Sequence, residues 1–257
     1  MSMGVSNLIG RVADRRVLQR WTRLADIAGN LDFSELKSAR ARANDLRREI
    51  DRLCRAADGR MAEVGPAGSV VEAPADADWS WRPDFWRIAA DPPGVAGVVS
   101  RTVVGPGVAM FHDCPLQEIT FRQLRNRGAT DLAPFGLSMD VFRFEGSFLS
   151  LAVDLPREAV AGLTRRHLIG LHAAFRFERT LEIFARLNIR NGPNTEQLVL
   201  EIAKGSKERN VEFDLAYSEM NEKRIESAWL DLIFEAPQMS QIEIRDLTMY
   251  RRHRTEI

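Results

Sequence analysis

The chain has little of what marks the specialised protein classes. Two cysteines, Cys54 and Cys114, occur in 257 residues. That is too few for the disulfide framework of a small secreted domain, so both are expected as free thiols. There are four histidines, and no Cys/His spacing fits a zinc site. Net charge is absent, with 36 Lys and Arg against 36 Asp and Glu. A general nucleic-acid binder needs a positive surplus to neutralise phosphates, so no nucleic-acid partner is expected. No apolar run approaches the ~20 residues of a membrane-spanning helix, which predicts no membrane partner. The opening Met-Ser-Met-Gly-Val-Ser-Asn-Leu-Ile-Gly lacks a basic stretch followed by an apolar core. The expected location is the cytoplasm, or outside it by a route that needs no signal peptide.

What is present falls into two parts. Residues 1–60 carry thirteen Lys and Arg against eight Asp and Glu, a local basic excess of the kind that helical surfaces usually expose to solvent. Leu36, Ala39, Ala43, Leu46, Ile50, Leu53 and Ala57 recur at alternating steps of three and four, the seam of a heptad repeat. A helix is predicted from Ser34 to about Met61, and an earlier one from about Val5 to Ala28, stopped by Gly29-Asn30. Two helices joined by a short turn predict an α-helical hairpin with Trp21 on its seam. In a parallel homomeric coiled coil Arg42 would oppose Arg47 of the next chain, which favours the hairpin. Self-association through this unit stays open.

From Gly65 to Ala77 two prolines and no helical period mark a linker. Beyond Gly97 the period becomes two. Leu149, Leu151, Val153 and Leu155 share one face of a strand, as do Leu181, Ile183, Leu187 and Ile189. Further alternating runs cover 196–203, 210–217, 228–235 and 241–250, the last with a phase slip near Asp246 that predicts a β-bulge. Strands are also expected over 101–111, 118–124 and 139–144, a short helix near 157–165, and a loop over 91–97. Glu145-Gly146, Asn191-Gly192-Pro193-Asn194, Lys204-Gly205-Ser206 and Ala236-Pro237 supply turns. About ten strands without long intervening helices predict a mostly β protein: an antiparallel two-layer β-sandwich, jelly-roll-like, preceded by the helical hairpin. The expected domains are a helical unit over 1–63, a linker over 64–78 and a β-sandwich over 79–257.

Phe111-His112-Asp113-Cys114-Pro115, Arg122-Gln123-Leu124-Arg125-Asn126-Arg127-Gly128, Ala133-Pro134-Phe135-Gly136, Gly146-Ser147-Phe148-Leu149-Ser150-Leu151 and Asp154-Leu155-Pro156 together resemble an uncharacterised alphaproteobacterial family of unknown function. That resemblance spans most of the chain and implies no activity and no catalytic residues. The run from Trp229 to Glu235 and that from Ile242 to Arg251 are similar to the closing strands of carbohydrate-binding jelly rolls.

The chemistry-bearing residues are weighed against plainer roles. His112, Asp113 and Cys114 put imidazole, carboxylate and thiol in one loop, but adjacent residues rarely converge on a substrate, so a structural role is expected. His167 and His172 are five apart, on opposite faces of any strand, and cannot share a metal from it. No metal site and no cofactor are expected; a structural Ca²⁺ held by loop oxygens is the one ion that spacing would not reveal. Trp79 and Trp81 share a face if their segment is a strand, and either pack on the core or meet a sugar. Trp229 lies opposite Leu230, Leu232 and Phe234 and on the side of Asp231, an outward aromatic beside an acid. Arg186, Arg190 and His172 are candidates to share that polar face. Flat aromatic rings with planar polar neighbours suit sugar recognition.

The reading is a non-catalytic binding module for a polysaccharide or other glycan, with ligand contacts from Trp229, Asp231, Arg186, Arg190, His172, Trp79 and Trp81, and no catalytic residue. Residues 1–63 are expected to engage a protein partner or an assembly. The alternatives are a structural protein, such as a spike or fibre component of a phage-like particle, and a glycoside hydrolase using paired acids among Glu178, Glu182, Glu201, Asp214, Asp231 and Glu235.

Overall fold

Alternation in the sequence becomes two antiparallel sheets packed face to face in the computed structural model of the protein, which describes residues 3–64, 71–128, 130–203 and 208–254. The strands are β1 (Ala77–Trp81), β2 (Gly94–Ala96), β3 (Thr102–Gly105), β4 (Val108–His112), β5 (Ile119–Arg125), β6 (Phe135–Val141), β7 (Leu149–Asp154), β8 (His167–Phe177), β9 (Ile183–Asn191), β10 (Asn194–Ile202), β11 (Glu208–Asp214), β12 (Ile225–Phe234) and β13 (Ser240–His253). A seven-stranded sheet has the order β11-β8-β13-β6-β5-β2, with β1 also paired to β13. A six-stranded sheet has the order β10-β9-β12-β7-β4-β3. From β7 onward the chain crosses repeatedly between the sheets, as a jelly roll does.

One face of each sheet makes the core. Leu137, Met139, Ile169, Leu171, Leu247 and Met249 from one layer meet Leu151, Val153, Ile183, Leu187, Leu230 and Leu232 from the other, all buried. A single-turn helix α3 (Asp84–Arg87), third in the chain after α1 (Met3–Ile27) and α2 (Phe33–Val64), adds the buried Phe85 and Trp86 to this core. The Trp86 indole N–H donates to the Ile244 carbonyl at 2.9 Å, and the Gln123 amide donates to the Phe85 and Ile88 carbonyls at 2.6 and 2.8 Å.

The register slips between Ile244 and Asp246, which is the expected bulge. Gly192, at φ +65, lies in the two-residue turn that pairs Asn191 with Asn194. Other expectations are corrected. The single strand over 101–111 is a hairpin, because Pro106-Gly107 turns the chain between β3 and β4. Residues 94–96 form an edge strand on β5 rather than a loop. Leu215–Tyr217 turn into a 3₁₀ helix, so Tyr217 leaves its strand and is exposed. The helix near 157 is one turn, α4 (Arg157–Val160). The expected turn at 204–206 and residues 65–70 of the expected linker lie outside the described residues. Later linker residues bind the body: Glu72 reaches His172 Nδ1 at 3.1 Å, and Asp76 reaches Arg252 at 3.4 Å.

The chain divides into two compact units, Met1–Arg55 and Ala56–Ile257. In the first, α1 (Met3–Ile27) is joined by a 3₁₀ turn at Ala28–Asn30 to α2 (Phe33–Val64), whose residues from Ala56 on fall in the second unit. Asp32 starts α2, accepting from the Ser34 amide at 3.2 Å and its hydroxyl at 2.6 Å. Near the turn Ala39 is buried and Trp21, Leu24, Ala28 and Ala43 are half-buried. Further along, the heptad seam is not covered as the hairpin reading supposes: Ile50 is 50% and Leu53 69% exposed.

On the outer face of the seven-stranded sheet the Tyr250 ring lies over Gly170, where a Cβ would come within 2.0 to 2.4 Å of three ring carbons. Gly170→Ala is therefore expected to displace Tyr250 and to destabilise the fold by about 2–3 kcal/mol, the cost of overpacking a tight site. Urea unfolding measures it, and a loss below about 0.5 kcal/mol, the range of neutral surface changes, would mean that the ring moves freely.

The Tyr250 hydroxyl donates to Glu212 at 2.8 Å, and Arg252 holds both oxygens of that carboxylate at 2.8 Å. The Arg252 bonds, helped by Tyr250 and opposed by burial, hold the Glu212 carboxyl below its ordinary value of 4.5. The unfolded chain thus binds more protons there at acid pH than the folded one. The stabilisation is present above about pH 4.5 and lost as pH falls through the lower folded value. Glu212→Gln is expected to flatten that part of a stability-versus-pH curve below pH 4.5. An acid limb as steep as the parent's would contradict this origin.

Candidate functional site

Three of the candidate residues, Trp229, Asp231 and Arg186, meet on the outer face of the six-stranded sheet. Its register sets out rows across the strands. One row runs Val199, Arg186, Asp231, Ala152, Ala109 and Val103, one residue from each strand. Beside it run Gln197, Asn188, Trp229 and Asp154, and on the other side Phe184, Ile233, Ser150 and Phe111.

Side-chain size along these rows makes relief. Ala109, Ala152 and Ser150 are short and adjacent, so they form low ground. Trp229, Phe111, Phe148 and Val103 stand around them, and together they line a groove of about 560 Å³. Phe148 is 42% and Val103 70% exposed, apolar surface that would be inside if this face only met water.

The polar edge is fixed by hydrogen bonds. Arg186 donates to Oδ2 of Asp231 through Nε at 3.0 Å and Nη2 at 2.8 Å. The Asn188 amide donates to the same oxygen at 2.9 Å. Asp231 and Asn188 are buried, while about a third of the Arg186 side chain is exposed. The Asn188 Oδ1 is buried with no partner among the described residues. Asp154, exposed, is the second carboxylate of the groove.

The loop holding His112, Asp113 and Cys114 shapes this site. Asp113 accepts from the Ser147 amide at 2.7 Å, the Ser147 hydroxyl at 2.5 Å and the Phe148 amide at 3.2 Å. These bonds, the Ser147 hydroxyl first, hold the Asp113 carboxyl below its ordinary range. Cys114 Sγ accepts from the Glu145 amide at 3.3 Å, and His112 Nε2 meets the Val98 carbonyl at 3.1 Å. Asp113 and Cys114 are spent on loop structure, His112 Nδ1 is buried without a partner among the described residues, and Asp113 fixes the backbone that carries Phe148 into the groove. Asp113→Ala is expected to free residues 145–148 to exchange amide hydrogens faster, with the rest of the body unchanged. Unchanged protection of the Ser147 and Phe148 amides would show that the carboxylate does not order them.

Trp229, Asp231 and Arg186 thus come together. The other candidates do not join them. Arg190 lies on the same face one row out, paired with Glu226 at 3.3 Å, and does not line the groove. His172 is placed elsewhere: β8 belongs to the other sheet, where His172 is buried beneath Glu72. Trp79 and Trp81 do share a face, stacked at 6.3 Å, but on β1 of the seven-stranded sheet and packed against the core. Phe111, Phe148, Ala109, Ala152 and Asp154 were not singled out by sequence. For Phe148 and Ala152 the signal existed, since both alternate with the core residues Leu149, Leu151 and Val153.

Among the described residues one trio brings metal-ligating atoms together: Asp78, His167 and His253. It lies on strands of the other sheet. Among the same residues no helix is long and apolar enough to cross a membrane.

The sequence pattern of a family described as Family of unknown function (DUF6478) matches residues 1–257. No curated protein matches the chain. Among solved structures the chain is similar to a family 11 carbohydrate-binding module from Clostridium thermocellum in complex with a β-1,3-1,4-mixed-linked tetrasaccharide, at 10% identity and a TM-score of 0.39, covering 62% of this chain and 96% of that one. It is also similar to a CBM22-1 xylan-binding domain from Paenibacillus barcinonensis, at 7% identity and a TM-score of 0.35, covering 64% and 94%. The enzymatically active domain of a bacteriophage CBA120 tailspike matches at 7% identity and a TM-score of 0.40, over 60% of this chain and 22% of that one.

Proposed function

We propose that this chain, which belongs to the DUF6478 family of unknown function, is a non-catalytic binding module that takes a glycan in the groove on the outer face of its six-stranded sheet. The observation that carries the reading is the groove's make-up: aromatic sides at Trp229, Phe111 and Phe148, an alanine floor, and a fixed Arg186–Asp231 pair along one edge. A pyranose ring presents C–H groups on its faces and hydroxyls on its rim. The aromatic rings suit the faces, and the planar guanidinium with its carboxylate suits the rim. Because Asp231 already takes three donors on one oxygen, the pair is held in place before a ligand arrives, which lowers the ordering cost of binding.

Affinity electrophoresis in gels containing soluble polysaccharides tests this. The protein is expected to be retarded by at least one neutral polysaccharide, and the Trp229→Ala variant to migrate freely in the same gel. A folded protein retarded by none of a broad panel would count against the reading.

A second role, for the helical unit, is favoured by the exposed seam at Leu46, Ile50 and Leu53. Such a surface supports attachment to a protein partner or self-assembly. Sedimentation velocity is expected to show association that Ile50→Asp abolishes. A monomer at every concentration would remove the self-assembly form of this role.

A further inference from the structure

We propose that Asp78, His167 and His253 form a binding site for one divalent transition-metal ion of the zinc class, on the seven-stranded sheet and apart from the groove. The three side chains come from three neighbouring strands. β1 and β8 both pair with β13, and His253 lies directly across from His167 in the β8–β13 register. The two imidazole rings are 4.3 Å apart between centroids, and His167 Nε2 is 4.0 Å from Asp78 Oδ2. One ligand atom from each residue lies within 4.8 Å of the other two. A tetrahedral ion with bonds of about 2.0–2.1 Å holds its ligand atoms about 3.3 Å apart. Closing that gap takes about 1.5 Å, and the exposed His253 is free to rotate inward.

The donor chemistry selects the ion. Two imidazoles and one carboxylate suit Zn²⁺ and its neighbours, whereas Ca²⁺ and Mg²⁺ prefer oxygen ligands throughout. Three protein ligands leave a fourth position for water or an incoming group. The surrounding contacts are those that orient ligands in metal sites. His167 Nδ1 lies 3.0 Å from the Thr164 hydroxyl and 3.3 Å from the Thr164 carbonyl, and either oxygen accepts a hydrogen bond from Nδ1–H when Nε2 holds the ion. Without an ion, the Thr164 amide donates to Nδ1 at 3.0 Å, so binding exchanges one bond for another. Arg251 donates Nε and Nη2 to the Asp78 carboxylate and Nη1 to the Ala159 and Ala161 carbonyls, which fixes the direction of that carboxylate. Its charge also opposes a cation, so the ion is held exchangeably rather than locked in.

The test is calorimetric titration of the full chain with ZnCl₂ in a Cys54→Ser background, which removes the exposed thiol as a competing ligand. One equivalent is expected to bind, with CaCl₂ and MgCl₂ giving no comparable heat. His253→Ala, a change at an exposed strand end, is expected to weaken Zn²⁺ binding by about 100-fold, at the upper end of what losing even an outer contact of a metal ligand costs. Co²⁺ added to the parent is expected to give visible absorption bands from a four- or five-coordinate site, absent in the variant. No saturable Zn²⁺ binding would overturn the proposal. So would binding and a Co²⁺ spectrum that survive His253→Ala.

Discussion

Replacing Asp246 with alanine is expected to cost about 3–5 kcal/mol of folding stability, the range for stranding a buried charge. Arg82 is fully buried, and Nε and Nη2 donate to the two Asp246 oxygens at 2.7 and 2.8 Å. Its Nη1 already lacks a partner among the described residues. Without Asp246 the whole guanidinium charge stays in a low-dielectric setting with nothing opposite it. The double change Arg82→Met with Asp246→Leu removes both charges and is expected to recover most of the loss, since apolar replacements of buried pairs are often neutral or better. Equilibrium urea unfolding of the three variants gives the comparison. A single-variant loss below about 1 kcal/mol, the size seen for solvent-exposed pairs, would show that Arg82 reaches water.

The second large effect concerns the groove. Trp229→Ala is expected to weaken glycan binding by about 2 kcal/mol or more, roughly 30-fold, as for a central aromatic contact. Ala152→Phe approaches the same groove from the opposite direction. Ala152 sits mid-row between Asp231 and Ala109, and a ring there fills the low ground without touching the core. Binding is expected to fall at least as far, while stability stays within about 0.5 kcal/mol, as for most surface changes. Loss from removing bulk at one place and adding it at another is hard to explain unless the ligand lies between them. Full binding by Ala152→Phe would move the ligand elsewhere.

The two-sheet architecture was legible because most strands bury one face and expose the other. β7, β9, β10 and β12 therefore alternate in sequence, and even the bulge before Asp246 shows as a slip in phase. β8 was harder to read. Its outward residues Gly170 and His172 are covered by Tyr250 and by Glu72, so burial runs unbroken from Ile169 to Ala173 and the alternation is lost there. Phase also distinguishes only inside from outside. It placed Trp229 and Asp231 correctly on an outer face, but it could not say which of two sheets carried His172, and so grouped that residue with Arg186 and Arg190. The pairing of Arg82 with Asp246, 164 residues apart, and the meeting of Asp78, His167 and His253 depend on strand order, which local pattern does not encode. The groove was half visible: the aromatic and the acid stood out, whereas the alanines that make room for a ligand look like nothing in a sequence.

The most direct test of the binding account is to map an oligosaccharide onto the protein by amide and indole chemical shifts in nuclear magnetic resonance. Perturbations are predicted at Trp229, Ala152, Ala109, Phe148 and Arg186, with the outer face around His172 silent. Shifts concentrated on that opposite face, or none with any oligosaccharide at millimolar concentration, would contradict it.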